Sequence, residues 1–135
     1  MPLKLSKEVI EVGIVTGNPE RALSFYRDFL GFPYLEEIRF PGGCYHRLAI
    51  GESVLKLFFL EAHPSPTRPV GGGPAGGTGG FRYVSFPVEN LNEIVSEAGS
   101  RGYKVAVPVK EHSPTVSYAF LEDPDGNWIE LFHSI

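Results

Sequence analysis

Residues 123–131 read Asp-Pro-Asp-Gly-Asn-Trp-Ile-Glu-Leu, and the side chain in them with chemistry to do is Glu130. Asp-Pro-Asp-Gly is dense turn chemistry, since proline presets one backbone angle and glycine accepts a positive one. The strand expected at 127–133 alternates Trp128, Glu130 and Phe132 on one face with Ile129 and Leu131 on the other. One carboxylate is thus expected between two aromatic rings on a dry face, where it requires an ion-pair partner, a metal or a proton to move. Arg47 and Tyr45 alternate with Leu48 and Ile50 on another expected strand, so Arg47 is a candidate for an anionic or carbonyl-rich ligand. The four histidines do not read as a metal set. His63 falls in a Pro/Gly-rich stretch, His112 lies beside a proline-containing turn, His133 has the opposite parity to Glu130, and His46 the opposite parity to Arg47. Each reads as a surface or turn residue. Cys44 has no flanking base to lower its pKa, which argues against a catalytic thiolate.

The elements that would position these groups must come from a short chain. Its 135 residues suffice for one compact domain, or for two half-size modules sharing a core. With 42% hydrophobic and 21% charged residues, that core needs no staples. A net charge of −4 without a Lys/Arg cluster argues against nucleic acid. Nothing approaches a membrane-spanning run, and Met1-Pro2-Leu3-Lys4-Leu5 lacks the apolar centre of a signal peptide. A single cysteine excludes an internal disulfide, and the cytoplasm is the expected compartment.

The same order of elements is read twice. Module 1, about 9–61, opens with a strand over 9–16. Asn18-Pro19 then caps and starts a helix with an Ala22, Phe25, Tyr26, Phe29, Leu30 stripe that Gly31 ends. Strands follow at 33–40, 45–50 and 53–61. Module 2, about 80–134, repeats this with a strand at 80–88 and a helix begun by Asn90 and Glu93 in a capping-box-like pair. That helix runs on Leu91, Ile94, Val95 and Ala98 to Gly102, and strands follow at 103–109, 115–122 and 127–133. Both halves are β-α-β-β-β, their helices starting about seventy residues apart, as after an internal duplication. Between them, 62–79 holds Pro64, Pro66, Pro69 and a glycine run from Gly71. It has linker composition and no Gly-Lys-Ser/Thr ending for a phosphate loop, so it reads as a hinge or flap.

The repeat, the 18–32 stretch Asn-Pro-Glu-Arg-Ala-Leu-Ser-Phe-Tyr-Arg-Asp-Phe-Leu-Gly-Phe and the Asp-Pro-Asp-Gly-Asn-Trp-Ile-Glu-Leu ending together resemble the vicinal oxygen chelate superfamily. That group includes glyoxalase I, extradiol dioxygenases, fosfomycin-resistance enzymes and bleomycin-binding proteins. The resemblance covers nearly all of the chain from Val9 to His133 and implies an α+β fold, a single domain over 1–135 in which two βαβββ modules curve around a shared cleft. It further implies a divalent ion, in metal-using members, held by the first and last strands of each module through His and Glu. The corresponding positions here are Glu11, Lys56, Tyr83 and Glu130, of which only Glu130 is the expected type.

Lys56 adds a positive charge where the ion would sit, and could ligate only when deprotonated, against an unperturbed pKa of about 10.4. The expectation is therefore no metal cofactor, with the Lys56 ammonium compensating Glu11, Glu130 or both. Val54, Phe58, Trp128 and Phe132 share strand faces with these positions and would wall an apolar ligand site. The leading expectation is a metal-independent protein that encloses a small, partly apolar or aromatic molecule. It would serve sequestration or proton transfer, with Glu130 as base and Lys56 or Tyr83 stabilising an oxyanion. One rival is a metal-dependent lyase, isomerase or dioxygenase using Glu11, Tyr83 and Glu130. Another is a non-catalytic partner-binding module. Small members of such a family are expected to form homodimers.

Overall fold

The computed structural model describes residues 1–62, 73–77 and 79–135. The chain divides into two compact units, Met1–Ser65 and Pro66–Ile135. Most of the expected linker, residues 63–72 and 78, lies outside the described residues.

In the first unit β1 (Glu11–Val15) leads into α1 (Pro19–Leu23), which continues as wider π-helical turns over Ser24–Phe29. Asn18 caps α1, its Oδ1 accepting from the Arg21 N–H at 3.1 Å, with Pro19 at the first helical position. Then come β2 (Tyr34–Phe40), β3 (Gly43–Ile50) and β4 (Ser53–Leu60). The sheet order is β1-β4-β3-β2, with β1 parallel to β4 and the remainder antiparallel. Leu48, Leu55 and Leu57 project from one side of this sheet and, with Phe25, Tyr26 and Phe29 of the helical segment, are buried as its core. Phe25 meets the Tyr26 ring edge-on at 4.9 Å.

The second unit repeats the plan with β5 (Tyr83–Pro87), α2 (Leu91–Ser100), β6 (Lys104–Ser113), β7 (Val116–Glu122) and β8 (Trp128–Ser134). Its order is β5-β8-β7-β6, again with one parallel pair between the first and last strands. α2 packs on β6, β7 and β8, over Leu121, Ile129 and Leu131. The Asp-Pro-Asp-Gly turn closes β7 onto β8 as expected. Buried Asp123 accepts from the backbone N–H groups of Asp125 and Asn127 and from the Asn127 side chain, at 2.8–2.9 Å, and Gly126 takes φ +91°.

Two local expectations change. Asn90 precedes α2 without a side-chain capping bond, its backbone lying at φ −112° and ψ 46° rather than in the extended region an N-cap uses. β6 runs four residues beyond Val109, because it pairs with β7 as far as Ser113 through several register shifts. That carries His112 out of the expected turn and into the sheet. No helix among the described residues is long and apolar enough to cross a membrane.

Candidate functional site

Each sheet buries one side under its helix and turns the other away, and the candidate residues divide on that alternation. On β8, Ile129 and Leu131 are buried, whereas Trp128, Glu130 and Phe132 are half-buried. The Glu130 face is therefore not the dry face its neighbours suggest. The apolar alternation is satisfied by α2 on the opposite side, and the aromatic side is left partly open.

In the first unit the register sets Gly13, Lys56, Arg47 and Glu36 in a row across all four strands, with Glu11 two residues before Gly13 on the same face. Lys56 pairs across from Gly13, which has no side chain, so Glu11 reaches it on the diagonal and its Oε1 stands 2.9 Å from Lys56 Nζ. Arg47 Nη1 bonds Glu36 Oε2 at the far end of the row. The hydrogen bond and then the charge of Lys56 hold the Glu11 carboxyl below its ordinary range, with a smaller push from Arg47. With side-chain exposures of 30% and 45%, Lys56 and Glu11 form an open, partly solvated ion pair. Lys56 Nζ also lies 5.6 Å from the Tyr45 ring centre, and Tyr45 stacks on Phe58 at 4.6 Å. Phe58 is thus engaged by Tyr45 and Phe40, with Gly13 close against its edge. Val54 is buried beside this row.

In the second unit Glu130 pairs across from Ser85, whose Oγ donates to Glu130 Oε1. Tyr83, opposite Trp128 in the register, is 47% exposed and meets the Phe120 ring edge-on at 5.2 Å. Trp128 is held on two sides. Its indole N–H donates to Glu122 Oε2 at 3.1 Å, and the one-turn 3-10 helix Gly73–Ala75 lies against its six-membered ring. A Cβ on Gly73 would come within 2.3 Å of that ring, so only glycine allows the approach, and Arg82 Nε secures the turn by donating to the Gly73 carbonyl at 2.8 Å. This described part of the expected linker belongs to the second unit. Beside Glu130 an open hollow of about 280 Å³ is lined by His112, Val116, Tyr118, Glu130 and Phe132.

Ser85, Tyr118, Phe120 and His112 join the site without having been singled out by sequence. Ser85 shares the parity of Tyr83, which is the one signal the sequence offered for it, whereas Tyr118 and Phe120 join through their cross-strand pairing with Phe132 and Glu130. His112 follows a bulged stretch, where counting by twos fails. His112 is exposed, as expected of a surface residue, whereas His46 and His133 are half-buried and hydrogen-bonded. His133 Nδ1 lies 2.9 Å from the Val88 carbonyl oxygen, and His46 Nδ1 lies 2.9 Å from the Tyr34 hydroxyl.

A duplicated βαβββ unit whose first and last strands lie side by side and turn polar groups to the face opposite the helix defines a class of two-module α+β proteins. The pattern of the Glyoxalase/Bleomycin resistance protein/Dioxygenase superfamily matches residues 9–131, and the chain belongs to that family. A relative from Synechocystis named as a probable lactoylglutathione lyase is 29% identical over 128 residues, which are 90% of this chain and 91% of that protein. The uncharacterized protein YwkD of Bacillus subtilis is 29% identical over 133 residues, covering 95% of this chain and 98% of that one. Among solved structures, a glyoxalase family protein from Bacillus cereus shares the fold with a TM-score of 0.80 at 20% identity, over 98% of this chain and 97% of that one.

Proposed function

We propose that this chain is a metal-independent family member that holds a small, partly apolar or aromatic molecule against Glu130. The observation that carries the reading is the Lys56–Glu11 pair. At a position where a carboxylate ligand would be expected stands an ammonium 2.9 Å from the other first-unit ligand candidate. Glu130 in turn accepts from Ser85, and Tyr83 packs on Phe120, so the Glu11, Tyr83, Glu130 set is a poor match for a divalent ion, which favours neutral imidazole and uncommitted carboxylate.

With Oε1 tied to Ser85, Glu130 keeps Oε2 for an O–H or acidic C–H of the ligand. Phe132, Tyr118 and Val116 supply apolar walls, and Tyr83 supplies a phenol on the same face. In the first unit the Lys56 and Arg47 donors suit a carbonyl or anionic group. Binding alone gives sequestration, and proton transfer to Glu130 followed by its return gives an isomerase or lyase reaction. We further propose that the chain acts as a homodimer, which sedimentation of the purified protein tests.

The test is a screen of flat aromatic and carbonyl-bearing compounds by ligand-observed NMR. A bound compound should lose affinity with Phe132→Ala and Tyr118→Ala together, and binding unchanged in that double variant refutes the site. Glu130→Gln, whose amide oxygen still accepts from Ser85, should keep binding and abolish any turnover. The second reading, a metal-dependent lyase, is favoured by the name of the Synechocystis relative. One metal per chain by elemental analysis, lost on Glu130→Gln and retained in Cys44→Ser, would establish it instead.

A further inference from the structure

The helix side of the first sheet carries polar side chains that neither Lys56 nor Glu130 uses. Cys44 and His46 alternate with Tyr45 and Arg47 along β3, so they project to the side of the sheet away from Lys56. On β2 the register slips by one residue between Tyr34, opposite Leu48, and Glu36, opposite Arg47. Such a bulge leaves one residue unpaired and re-aims those around it. As a result Tyr34 and Glu37, three residues apart, both face His46. The Tyr34 hydroxyl is 2.9 Å from His46 Nδ1, and Glu37 Oε2 is 4.0 Å from His46 Nε2. One ligand atom each of Glu37, Cys44 and His46 lies within 4.8 Å of the other two. The three line an open groove of about 880 Å³ whose further wall includes Asn18, Glu20 and Arg27 of the helical segment.

We propose that Glu37, Cys44 and His46 form a site for a zinc-like divalent cation, with Tyr34 as the outer partner that orients His46. The donor set is one sulfur, one imidazole nitrogen and one carboxylate oxygen, which suits a borderline-soft tetrahedral ion and leaves a fourth position open to the groove. Ligating histidines usually donate their second ring N–H to an outer group. Here Nδ1–H donates to the Tyr34 oxygen, and Nε2, on the side of Glu37, takes the ion. Bonds of about 2.0–2.3 Å separate tetrahedral ligands by about 3.3–3.6 Å, so the three side chains close by about 1 Å around the ion. Glu37 Oε1 is 3.3 Å from the largely exposed Arg39 guanidinium, which leaves Oε2 as the ligating oxygen.

On binding, the Cys44 S–H proton leaves to solvent and the S–metal bond replaces it. This site lies on the face of the first sheet opposite Glu11 and Lys56, and it stands whether or not Glu130 binds an organic ligand.

The full chain, reduced and stripped of metal, is titrated with zinc chloride against a chromophoric chelator. One ion per chain is expected, together with protection of Cys44, the sole cysteine, from alkylation. Cobalt(II) should give a near-ultraviolet thiolate-to-metal charge-transfer band. Cys44→Ser and His46→Gln should each weaken zinc binding by about 100-fold or more, and Tyr34→Phe by about 10–100-fold with the cobalt band retained. Far-ultraviolet circular dichroism confirms that each variant is folded. Failure of micromolar zinc to bind, or equal binding by wild type, Cys44→Ser and His46→Gln, overturns the site. Should Cys44→Ser not fold, the wild-type chain decides the matter, since an alkylation rate unchanged by zinc or a cobalt complex without the thiolate band refutes it.

Discussion

Gly73→Ala tests how the turn over Trp128 is held. Gly73 has φ +50°, a backbone region that costs an L-residue about 1–2 kcal/mol. The added Cβ would stand 2.3 Å from Trp128 Cε3, 2.9 Å from Cζ3 and 3.0 Å from Cδ2, all atoms of a rigid ring. Carbon contacts are favourable near about 3.5–4.0 Å, so the turn must lift from the indole by about 1 Å or more. That movement also weakens the 2.8 Å bond from Arg82 to the Gly73 carbonyl, and hydrogen bonds to charged groups contribute about 1.5–3 kcal/mol. Together the closed turn should lose about 2–4 kcal/mol, enough to open it in most molecules. Trp128 is the only tryptophan, so its emission should shift to the red and its quenching by acrylamide should rise. Gly77→Ala is the control. It shares the positive φ, at +83°, but its Cβ would meet nothing within 4 Å, so it should show the backbone cost without the spectral change. Emission, quenching and melting temperature all unchanged in Gly73→Ala would refute the packing of this turn on Trp128.

Lys56→Met should return the Glu11 carboxyl toward its ordinary range, read by carbon-detected NMR titration, and an unaltered Glu11 titration would show that Lys56 does not set it. Because the folded pKa is depressed, the pair's stabilisation is present above the unfolded carboxylate pKa and lost as pH falls through the folded value, so the variant should lack that part of the acid-limb slope. Asp123→Ala removes a buried acceptor of three N–H bonds and should cost about 2–4 kcal/mol in denaturant unfolding; a loss below about 0.5 kcal/mol would mean that the turn does not depend on it.

The repeat, both helix positions and the eight strands were legible because each rests on local chemistry: Asn18-Pro19 at a helix start, Gly126 in a turn, and apolar residues spaced by two or by three to four. The family resemblance brought Glu11 and Lys56 together, and alternation within a strand placed Glu130 beside Trp128 and Phe132. What counting along the chain could not supply was anything that depends on a neighbouring strand. Ser85 meets Glu130 only because β5 and β8, distant in sequence, lie in parallel register. Tyr34 and Glu37 share His46 only because a bulge in β2 breaks the period of two. Which strand face is covered was likewise settled by packing, with α2 over Ile129 and Leu131 leaving Glu130 half-open. A sequence by itself determines what each segment is able to become, since propensity and periodicity act over a few residues. Only the tertiary structure decided which side chains share a hydrogen bond or a groove, because those pairings depend on register and closure between segments tens of residues apart.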